Sequence, residues 1–310
     1  MLIQQILLSA PLFILVFLGY AVMKFANWPA SMSENLSRYV FTLALPAMLF
    51  HLMSDLSRLP PVDWRLLLAF FGSCLILFAL GRLLYWKVFK LDGASQAVCA
   101  MCGVFSNNVM LGVPLTKTLL GEQAMPAVAL ILVFNALVLW TMITASIEIS
   151  RSGKVKPGDL KMIVWNVVRN PMVGSIVLGC LWGVSGIPLP KVVDDTVQLI
   201  GASAAPLALL ALGMGLAEYG MGKDWRLPLV ISVMKLVAQP LIAWLLCYWL
   251  GLGKTETAAV VLLASISIGV NVYLMARQFG AQEGPVASAI LISTGLSALS
   301  TPWLMSLVGY

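Results

Sequence analysis

Apolar residues run along this chain in long blocks, and short polar stretches separate them. A membrane span needs roughly 20 mostly apolar residues, because a helix rises about 1.5 Å per residue and the hydrocarbon layer is about 30 Å thick. Ten blocks meet that rule: residues 5–24, 36–54, 65–88, 95–119, 124–147, 163–184, 195–217, 227–250, 256–277 and 285–308. The connections are short, and many carry Gly, Pro or a helix-capping residue at the junction. The longest hydrophilic one, Ser150 to Lys161, lies near the middle of the chain. The pattern predicts an all-α integral membrane protein with ten transmembrane helices.

Composition removes the soluble alternative. The 310 residues are 60% hydrophobic and 10% charged, with a mean hydropathy of +0.95. A soluble domain would carry about 25% charged residues to form its polar shell. The net charge of +6 does not point to nucleic acid, since the basic residues sit in loops without interleaved aromatics. They fit attraction to lipid head groups and the setting of topology. With the N-terminus outside, thirteen Lys and Arg fall on the inner side: Lys24, Arg38, Arg82, Lys87, Lys90, Arg151, Lys154, Lys156, Lys161, Arg169, Lys223, Arg226 and Arg277. Five fall outside: Arg58, Arg65, Lys117, Lys191 and Lys254. The positive-inside rule therefore predicts a multi-pass protein of the cell (inner) membrane with both termini extracytoplasmic. No cleavable signal peptide is expected, because no Lys or Arg precedes Lys24. The five cysteines all lie in apolar stretches and read as buried hydrophobes.

The two halves align at an offset of about 160 residues. Gly19 to Pro46 matches Gly179 to Pro206, Asp63-Trp64-Arg65 matches Asp224-Trp225-Arg226, and Gly121 to Pro126 matches Gly280 to Pro285. The expected organisation is a first repeat over 1–149, a cytoplasmic loop over 150–162, and a second repeat over 163–310. Five spans is an odd number, so the second copy inserts upside down. Inverted repeats recur in secondary transporters, with the site at mid-membrane.

Two spans carry internal breaks. The fourth reads VFSNNVMLGVP from Val104 to Pro114, and the ninth reads SISIGVN from Ser265 to Asn271. Backbone groups freed inside a bilayer must find partners in protein or in a wet cavity. A half-helix N-terminus at mid-membrane offers N–H groups to an anion such as a carboxylate. The candidate substrate-binding residues are accordingly Asn107, Asn108, Gly112, Pro114, Ser265, Ser267 and Asn271, although small polar residues also serve as packing contacts between membrane helices. Matched prolines, Pro46 and Pro206, are expected to kink the second and seventh spans.

Lys235 lies about 13 Å along the helix from Arg226, too deep for full snorkelling, so it is expected to face the protein interior. It is a candidate to attract an anionic substrate or to stand in for a coupling cation. No Asp or Glu falls at mid-span, which disfavours a carboxylate proton relay. His51, the single histidine, reads as structural or interfacial. Cys99 and Cys102 have redox-motif spacing but no activating neighbour, and read as packing. Without a phosphate-cradling loop, or clustered His, Cys and carboxylates, ATP-driven transport and enzyme activity are both unsupported; no cofactor or metal is expected beyond a coupling Na+ or H+.

The segments Leu18-Gly19-Tyr20, Phe41 to Phe50 (FTLALPAMLF), Gly103 to Pro114 and Lys235 to Pro240 resemble the auxin efflux carrier family, and the resemblance covers nearly the whole chain. It implies ten helices in two inverted five-helix repeats, related in fold to bile acid:sodium symporters. It also implies broken crossing helices 4 and 9, scaffold and transport domains drawn from both repeats, and elevator-type alternating access compatible with a homodimer. The implied substrate is a small organic anion, a malonate-like mono- or dicarboxylate. The rival reading is a sodium- or proton-coupled ion exchanger or channel of similar fold.

Overall fold

The computed structural model describes residues 2–26, 28–54, 63–152, 169, 171–218 and 225–309. Most of the expected loop 150–162 lies outside the described residues, as do Arg58, Lys223 and Asp224. The described chain is helical, without a named strand. In order the helices are α1 (Leu2–Phe25), α2 (Ala30–Tyr39), α3 (Leu45–Met53), α4 (Arg65–Lys87), α5 (Gly93–Val104), α6 (Val113–Leu119), α7 (Met125–Ser152), α8 (Pro171–Ser185), α9 (Lys191–Ala202), α10 (Ala204–Glu218), α11 (Arg226–Val233), α12 (Gln239–Trp249), α13 (Lys254–Ser265), α14 (Asn271–Phe279) and α15 (Glu283–Val308). Several join end to end, so that seven helical segments among the described residues are long and apolar enough to cross a membrane.

The second and seventh spans start earlier than expected, at Ala30 and Lys191. Each opens on a polar turn, with Glu34 and Arg38 in one and Asp194 and Asp195 in the other. A hydropathy window drops such turns, yet Pro29 and Pro190 just ahead of them provide a ready helix start.

Prolines write the other local irregularities. Five-residue π turns occupy Val40–Ala44, Asn108–Gly112 and Met234–Ala238. Each ends two residues before a proline: Pro46, Pro114 and Pro240. Proline has no N–H to give and its ring crowds the carbonyl four residues back. Widening the preceding turn removes both conflicts while the helix continues. Pro206 stands in the first turn of α10, just past a one-residue interruption at Ser203.

The same order of elements occurs twice. Ala30 and Lys191, Arg65 and Arg226, Gly93 and Lys254, and Glu122 and Glu283 begin corresponding helical elements, each pair 161 residues apart. Packing recurs in the same way. α1 lies on α10 and α8 lies on α3; α4 packs on α5 and α12 on α13. Glycine permits the first pair of contacts. A Cβ on Gly19 would collide with the carbonyl of Leu210, and a Cβ on Gly179 would stand 2.8 Å from the carbonyl oxygen of Phe50. Phe50 and Leu210 are themselves 160 residues apart. Membrane helices associate through such close backbone approach rather than through expulsion of water.

The contacts divide the helices into two sets. α1, α2, α3, α8, α9 and α10 pack among themselves, as do α4 to α7 with α11 to α15. Between the sets, α1 touches α6 and α15, α3 and α8 touch α7, and α10 touches the turn Asn108–Gly112.

Candidate functional site

Both expected breaks are present, and they meet. α5 ends at Val104 and helix resumes at Asn108; α13 ends at Ser265 and α14 begins at Asn271. The two extended breaks pair as a minimal antiparallel ribbon. Asn107 N–H donates to Ser267 O at 2.9 Å, Gly269 N–H donates to Phe105 O at 2.8 Å, and Ser106 faces Ile268. This pairing satisfies peptide groups that the helices release. Gly269 permits the approach: a Cβ there would lie 2.9 Å from Ser106 O and 2.9 Å from Phe105 Cδ1. Gly112 does likewise one turn on, where a Cβ would lie 2.8 Å from Leu263 Cδ2.

Side chains alternate across an extended ribbon, so its two faces have different company. Ser106 projects to one face. There its Oγ accepts a hydrogen bond from Lys235 Nζ at 2.6 Å. The same ammonium donates to Ala264 O at 2.8 Å and to Gln239 Oε1. Gln239 in turn donates through Nε2 to Val104 O at 3.0 Å. Lys235 and Gln239 are fully buried; Lys235 lies in the π turn Met234–Ala238 and Gln239, four residues on, opens α12. They reach the carbonyls released where α5 and α13 end. A cation and amide donors are favourable there, because each helix C-terminus carries about half a negative charge.

Asn107 and Ser267 belong to the opposite face, directly across the ribbon from each other. Asn107 is 5% exposed and Ser267 0%, yet Asn107 Nδ2 and Ser267 Oγ have no hydrogen-bond partner. Asn108, 1% exposed, donates through Nδ2 to Asn135 Oδ1 at 3.2 Å and leaves its own Oδ1 unpartnered. Rotating both amides by half a turn keeps their mutual bond and offers a donor instead. A buried polar atom without a partner costs about 1–3 kcal/mol. Asn107 and Ser267 face each other across the ribbon and Asn108 follows next in the chain, so three unpartnered polar groups lie close to the starts of the segments Asn108–Gly112 and Asn271–Phe279, and a polar ligand would relieve them. No side chain caps either helix start.

The other expected residues divide. Ser265 is buried but spends its hydroxyl on Leu262 O at 2.9 Å, while its carbonyl accepts from Thr301 Oγ1 at 3.0 Å. Pro114 is buried at the start of α6, and Asn271 is half-buried at the start of α14. Pro46 is half-buried and Pro206 exposed; both lie in the other helix set. Lys235 uses all three N–H donors on protein oxygens, so it reaches the opposite face through its field and not by contact. Asn135, Gln239, Ser293 and Thr301 belong to the crossing without having been read from the sequence. Ser293 Oγ accepts from Ile268 N–H at 3.2 Å. A lone amide in the apolar run of α7, a Gln four residues after Lys235, and the Ser293-Ser297-Thr301 stripe were the available signals.

His51 lies away from the crossing, with Nδ1 2.9 Å from Asp194 Oδ1. Both line a 510 Å³ cavity between α3 and α9 on one side and Lys117, Glu122 and Met125 on the other. Cys99 and Cys102 are free and buried within α5.

The family model described as "Membrane transport protein" matches residues 6–305. A Rhizobium meliloti (strain 1021) protein named "Putative malonate transporter" is 28% identical over 313 residues, covering 97% of this chain and 95% of that protein. "Auxin efflux carrier component 5" of Arabidopsis thaliana is 20% identical over 319 residues, covering 91% and 90%. "Uncharacterized transporter YfdV" of Escherichia coli (strain K12) is 21% identical over 299 residues, covering 95% of each. The resemblance to auxin efflux carriers carried by the sequence segments is thereby borne out. All three names are those of carriers or transporters.

Proposed function

The chain belongs to the membrane transport protein family, and we propose that it is a secondary transporter of small organic anions, malonate-like mono- or dicarboxylates. The observation that carries the proposal is the crossing of the two broken helices. There Asn107 Nδ2, Asn108 Oδ1 and Ser267 Oγ are buried without partners. In this reading a carboxylate accepts from Asn107, Ser267 and the turned amide of Asn108, and the two half-helix N-termini supply positive potential. Lys235 assists electrostatically from the far face. Binding in a site without a fixed countercharge in contact suits a substrate that must also leave.

The architecture that goes with this reading is ten crossings in two inverted five-helix halves. The seven long segments, α8 and the two broken pairs make that number. The recurrence of element starts 161 residues apart, and of the Gly19 and Gly179 contacts, supports a repeat about a pseudo-two-fold axis. We take the set of α1 to α3 and α8 to α10 as scaffold, and the set holding the crossing as the moving transport domain of an elevator. The 510 Å³ cavity lies where the two sets part, on the side of Lys117. That side is extracytoplasmic if the Lys and Arg bias sets the topology, with both termini outside and the protein in the cell membrane, alone or as a homodimer.

Uptake of labelled malonate by proteoliposomes tests this. It should saturate, should be competed by other small carboxylates, and should fall at least tenfold in Asn108→Ala. Unchanged uptake by that variant would move the site elsewhere. Unsaturable sodium or proton flux would favour the ion exchanger or channel reading instead.

A further inference from the structure

We propose that the Lys235 ammonium is a tethered monovalent cation: it fills a cation cage at the helix crossing, so the chain takes no free sodium there, and removing the tether would open the cage to sodium or a small alkylammonium. The proposal rests on the crossing being the functional centre, but not on the identity of the transported anion. Lys235 is completely buried, and among the described residues no carboxylate pairs with it. An uncompensated charge in such a position is strongly unfavourable. Its surroundings are oxygen: Ser106 Oγ at 2.6 Å, Ala264 O at 2.8 Å and Gln239 Oε1. A hydroxyl, a backbone carbonyl and an amide carbonyl are the neutral ligands that hard monovalent cations select. Charge balance comes from the two half-helices that end here. α13 ends beside Ala264, and α5 ends at Val104, whose carbonyl is held by Gln239 Nε2. Two C-termini at about half a negative charge each match one ammonium. The arrangement has the ligands and the field of a cation site, with the cation supplied by the protein's own side chain.

The tether has a mechanistic consequence. A free cation at this crossing would couple its own gradient to any movement of the crossing helices. A covalently held one travels with them and returns with them, so it holds α5 to α13 without drawing on an ion gradient.

The test reads stability, not transport, so that its failure is distinct from a wrong substrate. Unfolding midpoints of purified wild type, Lys235→Ala and Lys235→Met are measured by tryptophan fluorescence in choline, sodium and ethylammonium chloride at equal ionic strength. Wild type should be the same in all three salts. Lys235→Ala should lose several degrees in choline and recover at least half of the loss in sodium or ethylammonium. Lys235→Met, whose apolar side chain fills the cage, should respond to neither. Stabilisation of wild type by sodium over choline, an equal sodium response in Lys235→Met, or a Lys235→Ala protein indifferent to all three salts overturns the proposal. So does a Lys235→Ala protein that cannot be recovered folded in any of them, since a free cation is expected to replace the lost one.

Discussion

Gly269→Ala is the smallest change that strikes the crossing itself. The added methyl would stand 2.9 Å from both Ser106 O and Phe105 Cδ1 and 3.2 Å from Ser106 C, where ordinary contact begins at 3.4 Å. Two of these three atoms are backbone and cannot swing aside, so the ribbon must part by about 0.5 Å. The Gly269 N–H to Phe105 O bond, now 2.8 Å, then stretches beyond the usual range for N–H···O. Loss of that bond costs about 1 kcal/mol and overpacking a further 1–3 kcal/mol. The sum, about 2–4 kcal/mol, corresponds to roughly 30-fold or more if it falls on the transport-competent geometry. Uptake by proteoliposomes and the unfolding midpoint should therefore both drop. Gly295→Ala serves as control, because a Cβ there meets nothing within 4 Å and alanine favours a helix over glycine by about 1 kcal/mol. A Gly269→Ala protein with wild-type uptake and midpoint would refute the close pairing of the two breaks.

Two further substitutions bear on separate links. Asn135→Ala removes the partner of Asn108 and should raise KM for the transported anion several-fold while leaving folded yield within twofold; an unchanged KM would detach Asn108 from the site. Asp92 caps α5, its carboxylate accepting from Ala94 N–H at 3.1 Å and Ser95 N–H at 3.3 Å, and Asp92→Ala should cost about 1 kcal/mol. The Ser95 side chain foremost, then the Ser95 and Ala94 backbone, holds the Asp92 carboxyl below its ordinary value of 3.8. A depressed folded pKa means the contribution is present above pH 3.8 and disappears as pH falls through the folded value. The midpoint difference between wild type and Asp92→Ala should thus be constant near neutrality and shrink in acid; a difference that grows in acid would contradict the cap.

Much of this was legible because a bilayer punishes irregular backbone so heavily. A mid-span run such as SISIGVN has no lipid-facing conformation without loss, so both breaks could be located from residue type alone, and α13 ends and α14 begins at its two edges. The π turns were not legible. Proline announces a disturbance, but whether the chain kinks, breaks or widens depends on the neighbours that receive the displaced carbonyls. The partition of the site into two faces was hidden for the same reason. It follows from the ribbon that Ser106 and Ile268 form, a contact between residues far apart in sequence. Lys235 could be read as an interior charge, but its company of Ser106, Gln239 and Ala264 comes from three separate elements. Asn135 was lost in an apolar helix, where a hydropathy average conceals a single amide.

The measurement that bears most directly on the site is ligand-induced stabilisation of purified protein by malonate, longer dicarboxylates and acetate, in sodium and in choline. A ligand at a hundred times its Kd stabilises the folded state by about 2.7 kcal/mol. A saturable rise in unfolding midpoint is expected with malonate-like carboxylates in both salts, and its loss in the double variant Asn107→Ala/Ser267→Ala. A rise that survives in the double variant, or no rise with any carboxylate, would contradict the proposed site.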